Sequence, residues 1–204
     1  MGLREILTGR HEVKGPAPDR LFAISTAYIA LSSEHQIDPA GVAAIVFQAL
    51  ATSEFEATLR DMEEVVKATG GDSGTSVSTE DDSYGYRWMV LRNPSGAPSV
   101  EDLAVGINAV AGSIETAGHG ERLLCAVFAF ADAQKRRIYF IYNYKRGFWY
   151  PFVPADEGTK GGAGEPDAEQ RSTERELQLK AQMSSELPME PELERWFPLW
   201  GIPI

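Results

Sequence analysis

Residues 138–152 read IYFIYNYKRGFWYPF, and this stretch is the strongest structural signal in the chain. Residues 138–144 are apolar or amphipathic at both odd and even positions, which is typical of an interior strand covered on both faces. The basic turn 145–147 then leads into a second aromatic run. We therefore predict a β-hairpin inside a sheet, with Phe140 and Tyr142 buried. Its aromatic density indicates either a dense core or a recognition surface, and it carries no catalytic signature.

Two periodic helices alternate with the predicted strands. The capping box at Ser53-Glu54-Phe55-Glu56 opens a helix over 54–69, and the one at Ser99-Val100-Glu101-Asp102 opens a helix over 100–117. Pro39-Ala40-Gly41 is predicted to be a turn, and residues 27–32 fit either a helix or a strand. Further strands are predicted over 42–48, 76–80, 84–91 and 123–130, with a closing helix near 167–184. The repeated strand–strand–helix order predicts an α+β fold, an antiparallel sheet with helices packed on it.

Composition divides the chain into four segments. Residues 1–16 form a predicted N-terminal helix and polar linker, and residues 17–154 hold the α+β core. Residues 155–186 contain an acidic, Gly- and Pro-rich loop followed by the closing helix. Residues 187–204 form a tail rich in proline and tryptophan, whose apolar side chains require a cover. We expect the tail to pack across its own domain.

Charge and cysteine content exclude several classes of protein. The 204 residues carry 30 acidic and 19 basic side chains, for a formal net charge of -11. This sign repels phosphate backbones, so we expect no nucleic-acid partner. The single cysteine, Cys125, cannot form an internal disulfide, and no stretch reaches the ~20 apolar residues that a membrane span needs. We therefore expect a cytoplasmic protein.

Motifs that could carry catalysis are each explained more simply as ordinary structure. Gly71-Asp72-Ser73-Gly74 resembles the nucleophile motif of chymotrypsin-like proteases, but Thr75 replaces the next glycine and the composition is that of a loop. Cys125 lies in an apolar strand, where burial makes a thiol inert. Asp81 and Asp82 are neighbours in a strand and point apart. The histidines, which lack metal-ligand spacing, are His11, His35 and His119. We expect no enzymatic activity, no metal and no cofactor.

The ends of the chain and the basic turn are candidates for binding a protein partner. The N-terminal helix is shorter than the ~12–15 residues below which an isolated helix is marginal in water, so it must dock on something. Its short polar linker favours docking on a partner or a membrane. The basic turn is either simply solvated or a site for an anion or an acidic partner. The candidate partner-binding residues are Leu3, Ile6, Leu7, Lys145, Arg146, Trp196 and Trp200.

A second class of function stays open, that of a small enzyme or ligand-binding protein with an aromatic-lined site. A ligand-sized apolar pocket that holds a strongly shifted pKa would favour this class. An apolar groove open to a peptide would favour a binding protein instead. The candidate pocket residues are Tyr84, Tyr86, Trp88 and Tyr142.

Four segments resemble the PspAB family, small proteins associated with the phage-shock protein A system of actinobacteria and archaea. They are the opening MGL with Leu7 and Gly9-Arg10, residues 82–88 (DSYGYRW), residues 141–152, and residues 187–191 through 196–201. The resemblance implies a non-enzymatic binding or adaptor role beside a membrane-stress effector. It also implies a protein partner of the phage-shock system, with peripheral membrane association through that partner. It brings no catalytic residues and leaves the oligomeric state open. The strand–helix order is also similar to the YbjN and type III secretion chaperone-like fold, on topology alone.

Overall fold

The structure is a computed structural model that describes residues 18–69, 74–82, 84–94, 96–155 and 170–204. The predicted N-terminal helix, its linker and most of the acidic loop lie outside these residues. The described chain is α+β, as predicted, with a six-stranded antiparallel sheet and helices packed on it.

Helices and strands occur in the order expected from the sequence, with one difference in grouping. The helices are α1 (Pro18–Phe22), α2 (Ile24–His35), α3 (Ser53–Thr69), α4 (Val100–Thr116) and α5 (Thr173–Met183). The strands are β1 (Ile37–Gln48), β2 (Ser76–Asp81), β3 (Tyr86–Arg92), β4 (Leu123–Asp132), β5 (Arg137–Asn143) and β6 (Phe148–Phe152). One strand lies between α2 and α3, two lie between α3 and α4, and three lie between α4 and α5. In the described chain, the predicted strand–strand–helix unit therefore occurs as such only at β2–β3–α4. The sheet order is β2-β3-β1-β4-β5-β6.

Both predicted helices are confirmed, and so is the aromatic hairpin. Ser99 caps α4 by accepting a hydrogen bond from the backbone N–H of Asp102 at 3.1 Å. At α3 the side chain that accepts is that of Thr52, one residue before the predicted cap, at 3.3 Å from the backbone nitrogen of Phe55. β5 and β6 pair in antiparallel register, and β5 is interior because β4 lies on its other side. Residues 27–32, left open above, are helical in α2.

The predicted turn at Pro39-Ala40-Gly41 is wrong, because these residues lie inside β1. The pairing of β1 with β4 shifts register between Pro39 and Ala43, as at a β-bulge. Proline has no N–H to donate to the ladder, and Gly41 has a φ of 71°, so this segment suits a bulge. The carbonyl of Gly41 still accepts the N–H of Asn93 at 2.8 Å. The strand therefore bends here instead of ending.

The sheet has a different cover on each face. Helices cover one face, which buries Phe47, Phe128, Phe140, Tyr142 and Trp149. The other face carries a second apolar cluster built from all strands but β2, together with Trp196. Leu199, Trp200, Ile202 and Ile204 pack against this cluster, so the tail is the cover of the second face.

Candidate functional site

The C-terminal tail crosses the second face of the sheet, as predicted. Trp196 stacks on Tyr150 with ring centroids 6.2 Å apart, and Trp200 meets Phe152 edge to face at 4.9 Å. The backbone oxygens of the last two residues accept hydrogen bonds from side chains of β3 and β5, at 2.7 and 3.1 Å. Trp196 is only 4% exposed. The structure therefore places both candidate tryptophans in contacts within the chain.

Arg146 fastens the tail to the aromatic hairpin. Its Nη2 lies 3.0 Å from Oε1 of Glu190 and 2.8 Å from Oε1 of Glu192. The side-chain hydrogen bonds to Glu190 raise the pKa of Arg146 above its usual range. Beside this contact, the backbone N–H of Trp149 donates to the carbonyl of Pro188 at 2.9 Å. Arg146 therefore has an intramolecular role, while its neighbour Lys145 is exposed.

The four candidate pocket residues do not share a pocket. Tyr142 is fully buried on the helix-covered face, whereas Trp88 is buried in the cluster on the opposite face. Tyr84 and Tyr86 are exposed at the turn between β2 and β3. The candidate N-terminal residues Leu3, Ile6 and Leu7 lie outside the described residues.

One carboxylate holds the two exposed tyrosines in a defined turn. Oδ1 of Asp82 accepts the backbone N–H groups of Tyr84 and Tyr86, each at 2.9 Å. Oδ2 of Asp82 accepts a hydrogen bond from the indole N–H of Trp88, with Nε1 at 3.0 Å. This bond anchors the turn to the apolar cluster on the second face of the sheet. Gly85 has a φ of 84°, a conformation that glycine adopts without steric cost. Tyr84 is 76% exposed and Tyr86 38% exposed, so two aromatic side chains are presented on a fixed backbone.

The two edges of the sheet differ in how they are covered. At the β6 edge, the backbone N–H of Glu190 donates to the carbonyl of Trp149 at 2.7 Å. The backbone N–H of Ser172 donates to the carbonyl of Val153 at 2.8 Å. At the other edge β2 pairs with β3, and within the described part of the chain no strand pairs with its outer side. A row of unpaired backbone groups can pair with an extended segment of another chain. We call the outer side of β2 the open edge.

Charge at the open edge is predominantly acidic. Glu80, Asp81 and Asp82 are consecutive at the end of β2. Arg87 pairs with Asp81 at 2.6 Å and with Glu56 at 2.8 Å. The hydrogen bond from Arg87 lowers the pKa of Asp81, which stays ionised at neutral pH. Arg87 thus pairs with two carboxylates, and Glu80 is exposed.

The thiol of Cys125 and the phenols of Tyr144 and Tyr150 are buried in their neutral forms. Burial raises the pKa of the Cys125 thiol to about 12, and it raises the pKa of Tyr144 and Tyr150 well above the usual range. Such groups are poor nucleophiles and bases near neutral pH. Among the described residues, no group of three His, Cys, Asp or Glu side chains could hold a metal ion. None of the described helices combines the length and apolar character needed to cross a bilayer.

A cleft of about 530 Å³ opens between the start of β1, the end of β3 and the end of the tail. Prolines and small residues dominate its walls, which include Pro39, Gly41, Pro98 and Pro203. None of the candidate aromatic residues lines it. A second cleft, of about 340 Å³, lies beside β5 and β6 and also lacks them.

The structural roles of two residues, Asp82 and Glu190, are not predicted from the sequence. Asp82 precedes Ser83-Tyr84-Gly85, and an aspartate before such a turn is a recognisable signal for side-chain capping of the backbone. Glu190 has no comparable signal, because its partner Arg146 is 44 residues away in the chain.

Comparison with known proteins identifies the family. The family model for PspAB, described as PspA associated protein B, matches residues 1–204. No curated protein sequence matches the chain, and no solved structure does. The match spans all four segments on which the sequence resemblance rested. The chain therefore belongs to the PspAB family, whose name associates it with PspA.

Proposed function

We propose that this protein is a non-enzymatic, cytoplasmic binding protein of the PspA system, which docks a protein partner at the open edge and the adjoining tyrosine turn. The observation that carries this proposal is the geometry of Asp82. Its carboxylate fixes the backbone of Tyr84 and Tyr86 while both side chains remain exposed.

Exposed tyrosines on a fixed turn suit recognition for two physical reasons. A tyrosine buries a large area with few rotatable bonds, and it is enriched among the residues that dominate binding energy. A turn already held in one conformation loses little conformational entropy when it binds. The Asp82 contacts supply that rigidity.

Charge and edge geometry define the kind of partner. The open edge offers backbone groups to an extended segment. Glu80, Asp81 and Asp82 are consecutive here, and Arg87 pairs with Asp81 among them. A segment with basic side chains is therefore favoured electrostatically. The partner surface that fits is therefore an extended, basic stretch of a protein.

Calorimetric titration against purified PspA from the same organism tests the proposal. The double variant Tyr84→Ala/Tyr86→Ala should weaken binding about tenfold or more, because hot-spot tyrosines each contribute on the order of 2 kcal/mol. Asp82→Ala should also weaken binding, although it keeps both tyrosines, since the turn loses its fixed conformation. Ile29→Ala is the matched control, because Ile29 is an exposed apolar residue on α2.

Unchanged affinity of the double variant, with loss of binding in Ile29→Ala, would move the interface to the helices and refute the proposal. The non-enzymatic part has its own test in broad hydrolase and phosphatase screens, which should give no turnover. Activity that survives further purification and is lost in a single Tyr86, Lys145 or Asp82 substitution would contradict it.

A further inference from the structure

The second cleft, of about 340 Å³, is lined by three arginines from two separate parts of the chain. The turn between β4 and β5 supplies Arg136, and the segment that opens α5 supplies Arg171 and Arg175. The guanidinium groups differ in how their charges are compensated, and this difference decides what the cleft can bind.

Arg136 is paired with a carboxylate of its own turn. Its Nε donates to Oδ2 of Asp132 at 2.7 Å, and Oδ1 of Asp132 accepts the N–H groups of Gln134 and Arg136. Burial opposes ionisation of Asp132, yet the hydrogen bonds from Arg136 hold its pKa below the usual value. The pair is therefore ionised and close to neutral in sum.

Arg171 is paired with a fully buried carboxylate. Its Nε and Nη2 donate to Oε2 of Glu176 at 2.9 and 2.6 Å. Oε1 of Glu176 also accepts the backbone N–H of Val153 at 2.9 Å. A third contact, from Nη1 to the carbonyl of Trp196 at 2.8 Å, fixes the guanidinium in place. The charge of Arg171 is thus compensated as well.

Among the described residues, no carboxylate compensates the charge of Arg175. Its Nη1 donates to Oε1 of Gln178 at 3.2 Å, and no described carboxylate forms an ion pair with it. Its Nε is buried and makes no hydrogen bond.

The geometry points to a binding site for a phosphate group in this cleft, with Arg175 as the principal donor and Arg136 and Arg171 around it. Among the described residues, three guanidiniums against two carboxylates leave one positive charge in the cleft, although the whole chain carries a net charge of -11. The planar fork of arginine matches the oxygens of phosphate. The phosphate belongs either to a soluble compound or to a lipid headgroup. This site is separate from the open edge and does not depend on the function proposed there.

Binding to the full-length protein at low ionic strength tests the site in two arms. In the first, calorimetry measures binding of inorganic phosphate and pyrophosphate. In the second, flotation measures binding to vesicles of phosphatidylcholine with and without phosphatidic acid. Arg175→Gln should reduce binding about tenfold or more, and Arg175→Lys, which keeps the charge without the fork, should retain part of it. The matched control is Arg137→Gln, which removes the same charge from an exposed neighbouring position outside the cleft.

Arg175 makes a single exposed hydrogen bond, so Arg175→Gln should melt near the wild-type temperature. Loss of soluble phosphate binding in Arg175→Gln alone would support the site with a soluble ligand. Loss confined to vesicles with phosphatidic acid would support it with a lipid headgroup. Absence of binding in both arms, or an equal loss in Arg137→Gln, would overturn the inference.

Discussion

Arg146 binds Glu190 across 44 residues of chain, and this contact joins the aromatic hairpin to the C-terminal tail. The Glu190 carboxylate is almost fully buried, and the guanidinium of Arg146 is the cation that pairs with it. The contact lies where residues 188–190 run along β6 and close that edge of the sheet. This ion pair, together with the Arg146–Glu192 contact and the backbone hydrogen bonds to Trp149, holds in place the segment that leads to the cover of the second face.

Removing the cation of this pair should loosen the tail. Arg146→Gln leaves the Glu190 carboxylate buried without its cation, so we expect a clear fall in melting temperature. Lys145→Gln is the control, because it removes the same charge from the exposed adjacent position. Equal melting temperatures for the two variants would show that the ion pair does not hold the tail.

Truncating the tail tryptophan should destabilise the whole domain. Trp196 stacks on Tyr150 and is buried, so Trp196→Ala should cost about 3–5 kcal/mol of unfolding free energy. Phe197→Ala is the control, because Phe197 is 56% exposed. Urea denaturation measures both variants.

Deleting residues 187–204 should harm folding itself, since it uncovers an apolar sheet face. Hydrogen exchange of the wild-type protein should show protection around Trp196. Free exchange there, together with a normally folded deletion variant, would mean that the tail is dispensable.

The aromatic hairpin should be structural first. Phe140 is fully buried against Phe130, with ring centroids 5.6 Å apart. Phe140→Ala should therefore lower the free energy of unfolding by about 3–5 kcal/mol. Tyr84→Ala, at an exposed position, should stay within about 0.5 kcal/mol of wild type. A Phe140→Ala variant with unchanged urea midpoint would contradict the burial.

Stability should decline at alkaline pH partly through Cys125. Burial raises the thiol pKa from 9.0 to about 12, so above pH 9.0 the unfolded chain ionises while the folded one does not. The stabilisation is complete below 9.0 and is lost as pH rises towards 12. Cys125→Ala should show a shallower alkaline decline of unfolding free energy than wild type.

A thiol reagent provides an independent check at about pH 8, where a buried neutral thiol should react only after unfolding in urea. Rapid labelling of the native protein would show that Cys125 is accessible.

The sequence by itself determined the local elements, because their signals lie within a few residues. Capping boxes and apolar periodicity predict helices α3 and α4, and two runs that are apolar or aromatic on both faces, joined by a basic turn, predict the hairpin. Pro39-Ala40-Gly41 shows the limit of such reasoning. Its composition is that of a turn, but the pairing of β1 with β3 and β4 converts it into a bulge within a strand.

Only the tertiary structure decided which residues meet. Trp88 and Tyr142 both look like pocket residues in the sequence, yet they lie on opposite faces of the sheet because each strand's register sets the direction of its side chains. Arg146 looks like a surface cation until Glu190 is brought beside it. Arg175 is identified as a cation without a carboxylate partner among the described residues only after Arg136 and Arg171 have been paired. Local propensity acts over a few residues, whereas these contacts join distant segments, so they follow from the packing of the sheet, helices and tail.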